Sequence, residues 1–76
     1  MELEKLQEVI ASVLNVDTRE VTPDTTFVED LGADSLDIMQ IIVGIENVYD
    51  IQFPIEETEH IITVGDAVDV IRRIMG

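Results

Sequence analysis

The chain has 76 residues, four of them basic and seventeen acidic, for a net charge of −13, and it contains neither cysteine nor tryptophan. That balance argues against nucleic-acid binding, which needs Lys and Arg against phosphate, and against an anionic membrane; the missing cysteine excludes disulfides, a thiolate nucleophile and a thiolate metal site. A hydrophobic content of 46% separates the chain from a disordered acidic tail, no apolar run reaches the roughly 18 residues of a membrane span, and the opening MELEKLQEVI lacks the basic region and apolar stretch of a signal peptide.

Leu3, Leu6, Ile10 and Val13, with Val9 and Leu14 beside them, recur at spacings of three and four and predict a first amphipathic helix, with Asn15 as its stop. The run NVDTREVTPDTTFVEDLGAD that follows carries Pro23 and Gly32 and reads as a long loop. A loop of that length must be pinned, and Val16, Val21, Phe27, Val28 and Leu31 are the expected anchors. Asp34 then reads as an N-cap, with Asp37 in the first turn where negative charge suits the helix dipole.

Ile38, Ile41, Ile42, Ile45 and Tyr49 continue a second helix, which should end before IQFP because the residue preceding Pro54 is biased away from helix. IEETEHI allows only a short helical piece. Thr63 caps a last helix whose inner face is Val64, Ala67, Val68, Ile71 and Ile74, with Arg72 and Arg73 in the last turn, where cations are favoured. The expected fold is all-α: a four-helix bundle with three longer helices, one short helix and a long first loop, with residues 1–76 as one domain. Gly44 and Ala67 are expected to leave space that larger side chains would fill.

Ser35 falls at the first helical position, just after the cap. Backbone N–H groups there are unpaired and the dipole favours an anion, so a phosphate ester on Ser35 would lie at a favourable end of the helix, although Asp34 and Asp37 repel a phosphate and would instead suit a divalent cation or a basic enzyme. Leu36 beside it would be an exposed apolar foothold. From these residues alone two readings stand: a serine tolerated at a helix start, or a serine that carries a group.

LGADSLD, residues 31–37, closely resembles the attachment motif of the acyl carrier proteins, with Asp34-Ser35-Leu36 as its core. The likeness extends through TPDTTFVEDLGADSLD, Ile45-Glu46 and FPIEETEHIITVGDAVDVI, and length and acidity agree. The resemblance implies that Ser35, flanked by Asp34 and Leu36, accepts 4'-phosphopantetheine covalently from coenzyme A through a phosphopantetheinyl transferase. The arm would supply the absent thiol and carry acyl chains as thioesters between acyl-transfer and chain-elongating enzymes of fatty-acid or related synthesis. Leu36, Asp37, Met39, Gln40, Val43, Glu46, Ile55 and Glu56 would face partners that present basic patches. No catalysis, resident metal, nucleic acid or membrane insertion is expected, and a cytoplasmic monomer is, the initiator Met1 favouring bacterial cytoplasm over an organelle.

The second helix departs from the family in its charge. Gln40 stands where glutamate is common, Asn47 and Val48 where acids are frequent, and Gly44 where alanine is typical, at a cost of about 1 kcal/mol if exposed. These changes weaken electrostatic steering and leave room for a specialised carrier in a polyketide or other secondary acyl pathway. Gly32-Ala33-Asp34 favours acyl over peptidyl cargo. Three readings from other classes compete. A calcium loop fails because EDLGADSLD lacks the alternating ligands and the terminal glutamate, although weak surface binding of divalent cations is expected. An acidic interaction module fits the composition but gives no reason for Asp34-Ser35-Leu36. An enzyme has little to work with: His60 is the only histidine and reads as a solvated helix residue, and Met39 as a surface or partner-contact methionine.

Overall fold

A computed structural model describes residues 2–76, and side chains from residue 3 onward. Met1, on which part of the compartment expectation rests, lies outside the described residues. Helix α1 spans Glu2–Leu14, α2 Ser35–Tyr49 and α3 Val64–Met75; a short 3-10 turn covers Thr18–Glu20 and a 3-10 helix Ile55–His60. The expected all-α bundle of three longer helices and one short one is therefore present, and α1 packs on both α2 and α3.

Helix α1 stops where the sequence placed its stop. Asn15 takes the left-handed conformation at φ 57°, and the Val16 N–H reaches back to the Ala11 carbonyl at 3.2 Å, closing a Schellman-type end. Helix α2 ends in the same way, with Asp50 at φ 55° and the Ile51 N–H on the Glu46 carbonyl at 3.2 Å.

The long connection is pinned mostly as expected. Val21 is fully buried, Phe27 nearly so, and Val16 and Leu31 are half-buried against the core. Val28 is not an anchor: it is 61% exposed. The Phe27 N–H donates to the Ile62 carbonyl at 3.1 Å and the Val64 N–H to the Thr25 carbonyl at 2.9 Å, which orients Phe27 inward. The chain then coils tightly, with the Leu31 N–H on the Thr26 carbonyl and the Gly32 N–H on the Val28 carbonyl. Residues 28–30 form the outside of that coil. Thr25 and Ala33 are buried in its place. Thr25 Oγ1 receives the Thr22 N–H at 2.9 Å and lies 3.2 Å from the Glu20 carbonyl, to which it donates, so its burial leaves no unmet hydrogen bond.

The core is aliphatic. Leu6, Ile10, Ile45, Ile71, Val21 and Val64 are its largest fully buried side chains, each worth about 1.5–3 kcal/mol of burial. On α2 the buried stripe is Ile41 and Ile45, flanked by half-buried Ile38, Ile42 and Tyr49. On α3 it includes the expected Val64, Ala67, Val68 and Ile71 and also Val70, while Ile74 is only half-buried.

Gly44 borders an open groove of about 300 Å³ between α1 and α2, but contrary to expectation it leaves no free room for a side chain of its own. A β-carbon built there would stand 2.7 Å from Val9 Cγ1, so the missing side chain admits Val9 and lets α1 lie close on α2.

Candidate functional site

Three acidic residues shape the start of α2 and the corner beyond it. Asp34 in extended backbone is the N-cap: its Oδ1 accepts the Asp37 N–H at 2.9 Å, and Asp37 Oδ2 accepts the Asp34 N–H at 3.2 Å. This reciprocal box uses both carboxylates locally. The Ile38 N–H goes to the Asp34 carbonyl at 3.0 Å. Among the described residues that leaves the N–H groups of Ser35 and Leu36 open at the positive end of the helix. Ser35 itself is exposed, and its hydroxyl makes no hydrogen bond among the described residues. A phosphate ester on this oxygen would find two open donors beside it, so the residues present fit such a group.

A groove of about 480 Å³ begins at Ser35. One wall is α2, with Ile38, Met39, Ile42, Val43 and Glu46; the other is the following corner and 3-10 helix, with Phe53, Ile55, Thr58 and Glu59. Its lining is largely apolar, as an alkyl chain requires. Deeper in, Phe27, Ile38, Ile41, Ile42, Ile45, Ile61 and Ala67 enclose only about 10 Å³, no more than one water molecule occupies. Ala67 does border that crevice. An alkyl chain fits the outer groove as it stands and would enter the core only if the helices part.

The residues expected to face partners divide. Leu36, Met39, Val43 and Ile55 are exposed at 69%, 62%, 52% and 78%, an unusual set of large apolar side chains for one face of a small acidic protein. Gln40 and Glu56 are exposed as well, whereas Asp37 is half-buried in the capping box. Glu46 is half-buried too, and its Oε2 accepts the Phe53 N–H at 2.9 Å. Phe53, Thr58 and Glu59 were missed as groove residues. The only sequence signal for Phe53 was its apolar character just before Pro54, and Thr58 and Glu59 gave none. Among the described residues no three acidic or histidine side chains converge as a metal centre, and His60 is exposed on the 3-10 helix.

Comparison with known proteins places this geometry in context. A family model described as the phosphopantetheine attachment site matches residues 4–71. The chain is 50% identical over 68 residues to an acyl carrier protein of Helicobacter pylori (strain J99), a match covering 90% of this chain and 87% of that protein. It is 43% identical over 72 residues to an acyl carrier protein of Clostridium acetobutylicum, covering 95% and 94% respectively.

Proposed function

The chain belongs to the phosphopantetheine attachment site family, and on that premise we propose that Ser35 is the residue to which the arm is joined. The protein is an acyl carrier, holding acyl groups on a covalent phosphopantetheine and serving acyl-handling enzymes. The observation that supports Ser35 is its place: an exposed hydroxyl with two open N–H groups beside it, at the mouth of an apolar groove. The bound group supplies the thiol that the chain lacks. Among the described residues no side chain hydrogen-bonds Ser35; the transferase takes the serine proton as the new Oγ–phosphorus bond forms, the pyrophosphate bond of coenzyme A breaks and 3',5'-ADP leaves.

Residues 1–76 then act as one carrier domain, monomeric and cytoplasmic, that catalyses nothing. A charge of −13 steers it toward enzymes with basic patches, the phosphopantetheinyl transferase and chain-elongating enzymes of fatty-acid synthesis among them. Leu36, Met39 and Val43 on α2, with Ile55 across the groove, offer the apolar contact, and Gln40 and Glu56 its polar rim. Asp34 and Asp37 contribute by holding the helix start. The reading is tested by loading the chain from acyl-coenzyme A with a broad-specificity transferase and offering it to a chain-elongating enzyme. Transfer from the unaltered chain and none from Ser35→Ala is expected; equal behaviour of the two would overturn it.

A further inference from the structure

Glu46 gathers nearly every N–H of the corner that joins α2 to the 3-10 helix. Its carbonyl accepts the Asp50 N–H and, at 3.2 Å, the Ile51 N–H; its carboxylate accepts the Phe53 N–H at 2.9 Å. Pro54 has no N–H, so of residues 50–54 only Gln52 is left out. A carboxylate in the last turn of a helix faces the negative end of the dipole. Glu46 meets a backbone donor there that offsets this.

The wall beyond the corner has few other ties. The 3-10 helix Ile55–His60 buries no residue and has no side-chain cap at Pro54. Ahead of it, Phe53 is 6% exposed and anchors the chain in the core. Behind it, the Arg73 guanidinium holds Glu57 with a two-pronged contact at 3.2 and 3.3 Å. The wall carrying Ile55, Thr58 and Glu59 is therefore held at one end by Phe53, in the core and with its N–H on Glu46, and at the other by Ile61 against the core and by the surface pair of Arg73 with Glu57.

We propose that Glu46 is a positioning residue: by holding the Phe53 N–H it fixes the second wall of the groove and sets how closely that groove holds the alkyl part of an acyl group carried from Ser35. The proposal rests on Ser35 being the attachment residue. It assigns Glu46 an internal task in place of a contact with partner enzymes.

Two readouts without a partner enzyme at the moment of measurement test it. In the unmodified chain, hydrogen exchange of the Phe53 amide should be about tenfold faster in Glu46→Ala, as expected for loss of a charge-assisted bond, and close to unaltered in Glu46→Gln, whose amide oxygen still accepts. Chains loaded with an octanoyl or an acetyl arm are then cleaved with hydroxylamine. The octanoyl thioester should be cleaved several-fold more slowly than the acetyl one in the unaltered chain and in Glu46→Gln, and at a similar rate in Glu46→Ala. Arg73→Met, which frees the other tie without touching α2, should also narrow the gap and keeps the test open if Glu46→Ala fails to fold.

Unchanged Phe53 exchange in Glu46→Ala, or octanoyl protection that survives both Glu46→Ala and Arg73→Met, would overturn the proposal, as would equal cleavage of the two thioesters in the unaltered chain. Failure of the unaltered, folded chain to load at Ser35 would overturn the attachment reading itself and this inference with it.

Discussion

Val9 Cγ1 stands 2.7 Å from where a β-carbon on Gly44 would be, so the packing of Val9 from α1 onto α2 depends on the absence of a side chain at position 44. Helix propensity alone makes Gly44→Ala stabilising by about 1 kcal/mol. The added carbon must instead displace a β-branched side chain with few rotamers to turn to, and overpacking of this kind costs about 1–3 kcal/mol. Urea unfolding should show Gly44→Ala to be destabilised by about 1 kcal/mol. In a Val9→Ala background the same change should become stabilising, a coupling that a double-mutant cycle resolves.

Asp34 holds the start of α2 through the Asp37 N–H. Asp34→Ala should cost about 1 kcal/mol in urea unfolding, the ordinary penalty for a lost N-cap. Asp34→Ser, which keeps a capping oxygen, should stay within a few tenths of a kcal/mol. Because Ser35 is the next residue, fraying of that turn should also slow its modification in Asp34→Ala and leave Asp34→Ser nearly unaffected.

Much of this arrangement was legible in the sequence because it is local. Caps at Asp34 and Thr63, the stop at Asn15 and the inner stripes of the helices follow from residue type and a spacing of three and four. Val28 is misjudged as an anchor, and buried Thr25 goes unmarked, for a non-local reason. Whether a loop residue faces inward is decided by hydrogen bonds to a distant segment, here residues 62 and 64, and no periodicity records those. Glu46 looked like any exposed acid on a partner-facing helix; only the corner seven residues on shows what its carboxylate binds. The gap at Gly44 failed likewise, since a glycine marks equally well an empty space and a close approach.

Asp66 provides a pH-dependent element. Backbone N–H groups of Thr63 and Ile62 donate to its carboxylate and hold its pKa below the ordinary value of 3.8. A carboxyl whose folded pKa is depressed stabilises the fold above its unfolded pKa and loses that contribution as pH falls through the folded value. At pH 7 Asp66→Ala should therefore be less stable than the unaltered chain, by about 1 kcal/mol as for other capping boxes. The difference should shrink as pH drops below about 4. Thermal melts of both proteins from pH 7 to pH 2.5 would show it, and a gap that does not change with pH would remove the carboxylate from the explanation.

The central claim is that Ser35 carries the arm, and intact-mass measurement with peptide mapping tests it most directly. The folded, unmodified chain is incubated with coenzyme A and a broad-specificity phosphopantetheinyl transferase, beside Ser35→Ala and a carrier protein known to label. A gain of one phosphopantetheine, located on the peptide containing Ser35 and absent from Ser35→Ala, is the predicted result. No gain while the control carrier labels, or a gain that persists in Ser35→Ala, would contradict it.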